Sequence, residues 1–140
     1  MNIEVNLVTL LVAVVASMLI GFLWYSPMLF AKPWMKLMGI TQQDMKGAQN
    51  GMVKMYAISF FAALVTAFVL SHVVAMSEKF FGSSPLETGL NSAFWMWVGF
   101  VAPVQLTDVI FGGKKWKLFA INTGYQLASL LVMGVVIGLL

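Results

Sequence analysis

The chain contains no cysteine, no arginine, one histidine and only 9% charged residues. Each scarcity excludes something. Without cysteine there is no disulfide framework, no thiolate nucleophile and no cysteine metal site. Without arginine the chain lacks the side chain that grips phosphate through two parallel hydrogen bonds, and its net charge of +3 rests on lysine alone. All of those lysines but Lys79 fall in two loops that flank apolar runs, so nucleic acid is not an expected partner. Soluble domains carry about 25% charged residues. With 9% charged against 61% hydrophobic, this chain cannot cover a water-facing surface, and most of its surface must face lipid. Positive charge is also scarce in the opening MNIEVN, where Glu4 is the only early side-chain charge, so these residues are not expected to act as a secretory signal. The first apolar run is therefore expected to stay in the mature protein.

Four apolar runs are present, at 5–25, 53–76, 88–110 and 118–140. Crossing the hydrocarbon layer as a helix takes roughly 20 residues, and lipid offers the backbone no hydrogen-bond partner, so each run is read as a helix. The expected fold class is all-α: a polytopic membrane protein, one transmembrane domain over 1–140 built as a bundle of four transmembrane helices. The first and third connections hold Lys32, Lys36, Lys46, Lys54, Lys114, Lys115 and Lys117, whereas the opposite side holds only Lys79. Positive residues stay cytoplasmic, which puts both termini outside.

Residues 21–36 (GFLWYSPMLFAKPWMK) read as the exit of the first helix. Trp24, Tyr25 and Trp34 suit the headgroup layer, Pro27 breaks a helix leaving the bilayer, and Lys32 and Lys36 can snorkel. Residues 28–38 set Leu29, Phe30, Trp34, Leu37 and Met38 among those lysines, the pattern of a short interfacial helical segment. Thr41-Gln42-Gln43-Asp44 then forms a capping box with Asp in place of Glu or Gln, flanked by Ile40 and Met45 at staple positions. A short surface helix is expected before Gly51.

Small residues recur every four positions: Ala13, Ser17 and Gly21; Ser59, Ala63, Ala67 and Ser71; Ala120, Gly124 and Ala128; and Gly134 with Gly138. Such stripes let helix backbones approach closely in lipid. The first three are assigned to packing inside the bundle and the terminal GxxxG to a dimer surface, making the protein an expected homo-oligomer with membrane lipids, and a possible second membrane protein, as partners.

Polar residues concentrate toward the lysine-rich ends. Asn122, Gln126 and Ser129 follow an i, i+4, i+7 stripe, Gln105 and Asp108 lie three apart, and Tyr25 and Tyr56 sit at comparable depth. Gln126 lies about 12 Å into the bilayer from Leu118, where polar groups face the bundle interior or a cavity. Two readings stand: a small polar pocket, or an interhelical hydrogen-bond clamp. Asp108 opposes the dipole at the end of its helix, so either Pro103 ends that helix early or one of Lys114, Lys115 and Lys117 pairs with the carboxylate. His72, with Glu78 and Glu87 on its side, shows no metal-ligand spacing. No catalytic constellation, paired carboxylates or phosphate loop is present, so no catalytic residue, metal or cofactor is assigned and an enzyme ranks last. The mid-depth layer holds only Ser17, Thr66 and small or apolar residues, whereas ion-coupled carriers place an ionisable residue there.

The LWYSP at 23–27 with Leu29-Phe30 and Trp34-Met35, the WVGFVAP at 97–103 and the LFAINTGYQL at 118–127 resemble the helix signatures of domain-of-unknown-function family 1761. That resemblance spans nearly the whole chain and implies a small integral protein of the bacterial cytoplasmic membrane, with no activity attached. Trp24, Tyr25, Ser26, Pro27, Pro103, Asn122 and Tyr125 are the matched positions it singles out. Together the two lines give Trp24, Tyr25, Ser26, Gln105, Asn122, Tyr125 and Gln126 as candidate ligand-binding residues. The expected role is lipid or small-ligand binding, or accessory interaction, through the cytoplasmic half. The alternative is a small transporter or channel with a pathway between subunits.

Overall fold

A computed structural model describes residues 3–140. Asn6 opens the first helix, α1 (Leu7–Trp24), by accepting the Val8 N–H on its side chain at 2.9 Å. The chain then reverses through Ser26, whose carbonyl accepts the N–H groups of Leu29 and Ala31. This turn delays the second helix, α2 (Ala31–Met38), three residues past the expected start. The Thr41–Asp44 box forms as the sequence predicts and opens α3 (Gln42–Gly47): Asp44 Oδ2 accepts the Thr41 N–H at 2.9 Å, and Thr41 Oγ1 accepts the Asp44 N–H at 3.1 Å.

The long α4 (Met52–Phe81) continues beyond the expected end near 76, because nothing in Ser77–Phe81 breaks a helix until Gly82 takes a left-handed φ of 65°. Ser84 then caps α5 (Pro85–Met96), with Pro85 in the first turn where its missing N–H costs nothing. Pro103 does not end the third crossing. Its ring crowds the carbonyl one turn earlier and it offers no N–H. The helix instead widens into a π-helical turn over Trp97–Val101 and resumes as α6 (Ala102–Gly112). The last helix, α7 (Trp116–Leu139), follows a short connection through Gly113. Four helical stretches are long and apolar enough to cross a membrane: Leu7–Trp24, Gln49–Phe81, Pro85–Gly112 and Trp116–Leu139.

These stretches run up-down-up-down, with both termini at one end and the lysine-rich connections at the other. α7 is the hub, packing on α5 and α1, while α4 closes the ring between them. The core comprises Leu10, Ala13 and Val14 of α1, Ala67, Leu70 and Val74 of α4, Ala93 of α5, and Leu130 and Met133 of α7. By register, most of these lie toward the terminal end. Large side chains such as Phe61, Trp95, Phe100 and Val104 stand exposed on the outside, the arrangement that a lipid environment favours.

The small-residue stripes serve this packing, with one reassignment. Ala13, Ser17, Ala67 and Ser71 are buried, whereas Ser59 and Ala120 are exposed and do not pack inside the bundle. Gly134 and Gly138, expected on a dimer surface, instead lie inside the bundle against α5. A Cβ on Gly134 would stand 2.4 Å from the Gly89 carbonyl oxygen, and one on Gly138 would stand 2.6 Å from that of Pro85. A GxxxG motif promotes close approach without specifying the partner, and here the chain supplies its own.

Candidate functional site

Toward the lysine-rich end the bundle is joined by aromatic side chains. The Trp24 indole N–H donates to the Ile121 carbonyl at 3.0 Å, and the Trp97 indole N–H to the Thr123 carbonyl at 2.9 Å. A carbonyl has two lone pairs, so it can accept an indole without losing its own helical bond. α1 and α7 also exchange rings for glycines. Trp24 lies over Gly124 and Tyr125 over Gly21, where a Cβ would come within 3.1 Å of each side chain. Phe30 packs on Trp24 with ring centres 4.8 Å apart, and Trp34 meets Tyr25 edge-on at 5.6 Å. The turn after α1 and the start of α2 thus hold Trp24 and Tyr25 in place.

On this frame the Tyr25 hydroxyl donates to Asn122 Oδ1 at 2.8 Å, and the Thr123 hydroxyl donates to Gln105 Oε1 at 2.9 Å. Both bonds cross between helices, so the clamp expected from the sequence is present. It does not fill the space. A cavity of about 300 Å³ remains, lined by Tyr25, Gln105, Asn122, Tyr125 and Gln126. Val109, Leu118 and Phe119 add apolar wall, and Asp108 and Lys114 complete the lining. Lys114 Nζ stands 3.4 Å from Asp108 Oδ2, with the two side chains 51% and 58% exposed. Of the alternatives for Asp108, the lysine pair is the one found.

Five of the seven candidate residues therefore meet at one cavity, and two do not. Ser26 bonds its own turn, donating to the Leu23 carbonyl at 2.7 Å. Trp24 is spent on the backbone of α7. Tyr56, expected at similar depth, lies apart with its ring edge-on to Phe22 at 5.3 Å. The sequence reading missed Trp97 and Thr123 as supports; it set Asp108 among the polar residues of the pocket but left Asp108 and Lys114 off the candidate list. The three-residue spacing of Gln105 and Asp108, and the WVGFVAP run around Trp97, were the available signals.

Other spaces lie among the described residues. One of about 400 Å³ opens between α4 and α5, lined by Ser77, Thr88, Asn91, Ser92 and Trp95 among others. Another of about 170 Å³ near the termini includes Glu4, Asn6 and Glu78. Among the described residues neither contains a side-chain bond between helices, and neither is lined by a lysine. Among the described residues no group of three His, Asp or Glu could hold a metal ion. His72 Nδ1 lies 2.8 Å from the Phe68 carbonyl oxygen of its own helix.

A family model described as a protein of unknown function, DUF1761, matches residues 8–138. The chain belongs to the DUF1761 family. No curated protein and no solved structure matches it. The match to the DUF1761 model takes in almost all of α1 and α7 and every element between them, so all the cavity residues fall inside the family region. The anchoring tryptophans and the clamp residues Tyr25, Asn122, Thr123 and Gln105 fall inside it too.

Proposed function

We propose that this DUF1761 protein is an integral membrane protein with its lysine-rich end in the cytoplasm, and that its polar cavity binds a small polar molecule or a lipid headgroup. The observation that carries this reading is the unfinished hydrogen bonding of the clamp. Asn122 and Gln105 each accept through the side-chain oxygen, which leaves both amide NH2 groups to donate elsewhere. Among the described residues no buried side-chain polar atom lacks a partner. Those donors therefore need the open cavity, where water or a ligand can meet them. Polar groups at membrane depth are costly unless partnered, and filling the space with apolar side chains would have been the simpler design.

Native mass spectrometry of protein released from mild detergent tests the reading. Wild type is expected to retain a small molecule or lipid that Asn122→Leu and Gln105→Leu release. Identical, ligand-free spectra for all three would overturn it. For orientation, a C-terminal reporter active only in the cytoplasm is expected to stay silent. The alternative of a pathway between subunits loses its motivating feature, since Gly134 and Gly138 are occupied by α5.

A further inference from the structure

We propose that the cavity is specific for a zwitterion, a primary ammonium and an oxyanion a few atoms apart, with the ammonium set against Asp108 and the oxyanion against Lys114 and the amides of Asn122 and Gln105. This rests on the reading of the cavity as a binding site. Three features support it. First, the clamp uses the amide oxygens of Asn122 and Gln105 and leaves both NH2 groups to donate, which suits an oxygen-rich anionic group. Second, the lining contains one carboxylate and one ammonium, 3.4 Å apart and each more than half exposed. Such a pair contributes about 0–1 kcal/mol, so it opens at little cost. A simple anion would then face Asp108 as a like charge, and a simple cation would face Lys114. A zwitterion meets both with opposite sign. Third, about 300 Å³ lies at the lower limit of ligand sites, the scale of a headgroup and not of a large molecule. The rings of Tyr25, Tyr125 and Phe119 line the same space and can add attraction for an ammonium group.

The shared chemistry has two sources, a phosphoethanolamine lipid headgroup or a free zwitterion such as an amino acid. The test is native mass spectrometry of the full chain, titrated with phosphatidylethanolamine, phosphatidylcholine and phosphatidylglycerol, then challenged with soluble phosphoethanolamine and glycine. Phosphatidylcholine keeps the charge but has no ammonium N–H, and phosphatidylglycerol has no cation. If the lipid is the source, phosphatidylethanolamine is expected to bind about tenfold tighter than either, roughly one charge-assisted hydrogen bond. If the source is free, soluble phosphoethanolamine or glycine binds instead and shows the same dependence on Asp108. Asp108→Asn is expected to remove the preference with melting unchanged, because the side chain is exposed.

Equal retention of the three lipids without binding of soluble phosphoethanolamine or glycine, or a preference for phosphatidylglycerol, overturns the zwitterion assignment. So does a preference insensitive to Asp108→Asn, or the failure of every probe to bind. If bound material is still released by Asn122→Leu and Gln105→Leu in those cases, the cavity stands as a binding site of other chemistry. If nothing is released, both readings fall together.

Discussion

The sharpest structural consequence concerns the contact between α5 and α7. Gly89 and Gly134 face each other so closely that a Cβ built on Gly89 would sit 2.1 Å from the Gly134 carbonyl oxygen. That obstacle is backbone, which cannot rotate away as a flexible side chain could. Reaching ordinary contact at 3.4 Å requires the helices to part by about 1.3 Å, and a gap of even 0.5–1 Å forfeits about a quarter to a half of each dispersion contact it opens. Gly134 also faces the Ala93 methyl, and Ala93 belongs to the buried core with Leu130 and Met133, so the loss spreads through the core. Overpacking costs about 1–3 kcal/mol, and Gly89→Ala belongs at the upper end, a fall of about 5–10 °C in melting temperature. Gly134→Ala should behave alike. The double variant should cost less than the two combined, because one separation of the helices relieves both clashes. Gly47→Ala, with nothing within 4 Å, is the control and should melt no lower than wild type. Thermal melting in detergent, followed by helicity and by size-exclusion chromatography, reads all four variants. Melting of Gly89→Ala and Gly134→Ala within about 1 °C of wild type would refute the close approach. Unchanged melting with altered oligomeric size would return Gly134 to an intermolecular seam.

Three further outcomes follow from particular contacts. Trp24→Phe and Trp97→Phe each remove an indole donor from an α7 carbonyl and should each cost about 1 kcal/mol in the same melting assay; no change in either would mean the indoles are not anchors. The Asp44 carboxyl is held below the usual carboxylate range by the Thr41 backbone N–H and then by the Thr41 hydroxyl. A lowered folded value stabilises α3 fully above the unfolded value near about 4 and loses that contribution as pH falls through the folded one. Amide protection at Met45 and Ala48 should therefore decrease on acidification in wild type but be low and flat in Asp44→Ala. Pro103→Ala restores an N–H and removes the ring, so the π-helical turn should relax toward a regular helix; unchanged amide exchange across Trp97–Val101 would show that another contact maintains the turn.

The sequence spoke most clearly where one physical rule acts alone. Apolar length marked the crossings, and Thr41 with Asp44 marked α3. Crossing ends were less legible because they depend on punctuation outside the apolar window: Ser84-Pro85 starts α5 three residues before the expected position, and Gly82 stops α4 five residues after it. Gly134 and Gly138 illustrate a different limit. Four-residue spacing is the same for a partner within the chain and for one in a second copy. The deciding residues were the matching small pair on the facing helix, Gly89 and Ala93. At the site, Asn122 and Gln126 could be placed on one face by helical periodicity, and Tyr25 by depth. The indole bonds to Ile121 and Thr123 use backbone carbonyls, which carry no signature in sequence. Thr123 escaped for a related reason: it lies one residue from Asn122 and so about 100° around the helix, off the stripe yet in reach of Gln105.

The contrast between the two ends of α7 explains why the open volume lies where it does. At the terminal end Gly134 and Gly138 let α5 approach to backbone contact, and most of the core gathers there. At the lysine-rich end the glycines of α1 and α7 receive tryptophan and tyrosine rings instead of each other's backbone, which holds α1 and α7 a ring's thickness apart. On the opposite flank the π-helical turn lies between α5 and α6, and α6 packs on α7 far less extensively than α5 does. α7 thus meets α5 at the backbone toward one end and α1 through rings toward the other, and the space left where α6 packs least is lined by whatever the sequence supplies. In α7 that is Asn122, Tyr125 and Gln126, and in α6 it is Gln105 and Asp108. Leucine at Asn122 and Gln105 would close such a space more cheaply than a network that spends both amide oxygens and leaves the NH2 groups open. The polar lining is therefore the part of this bundle that packing alone does not require.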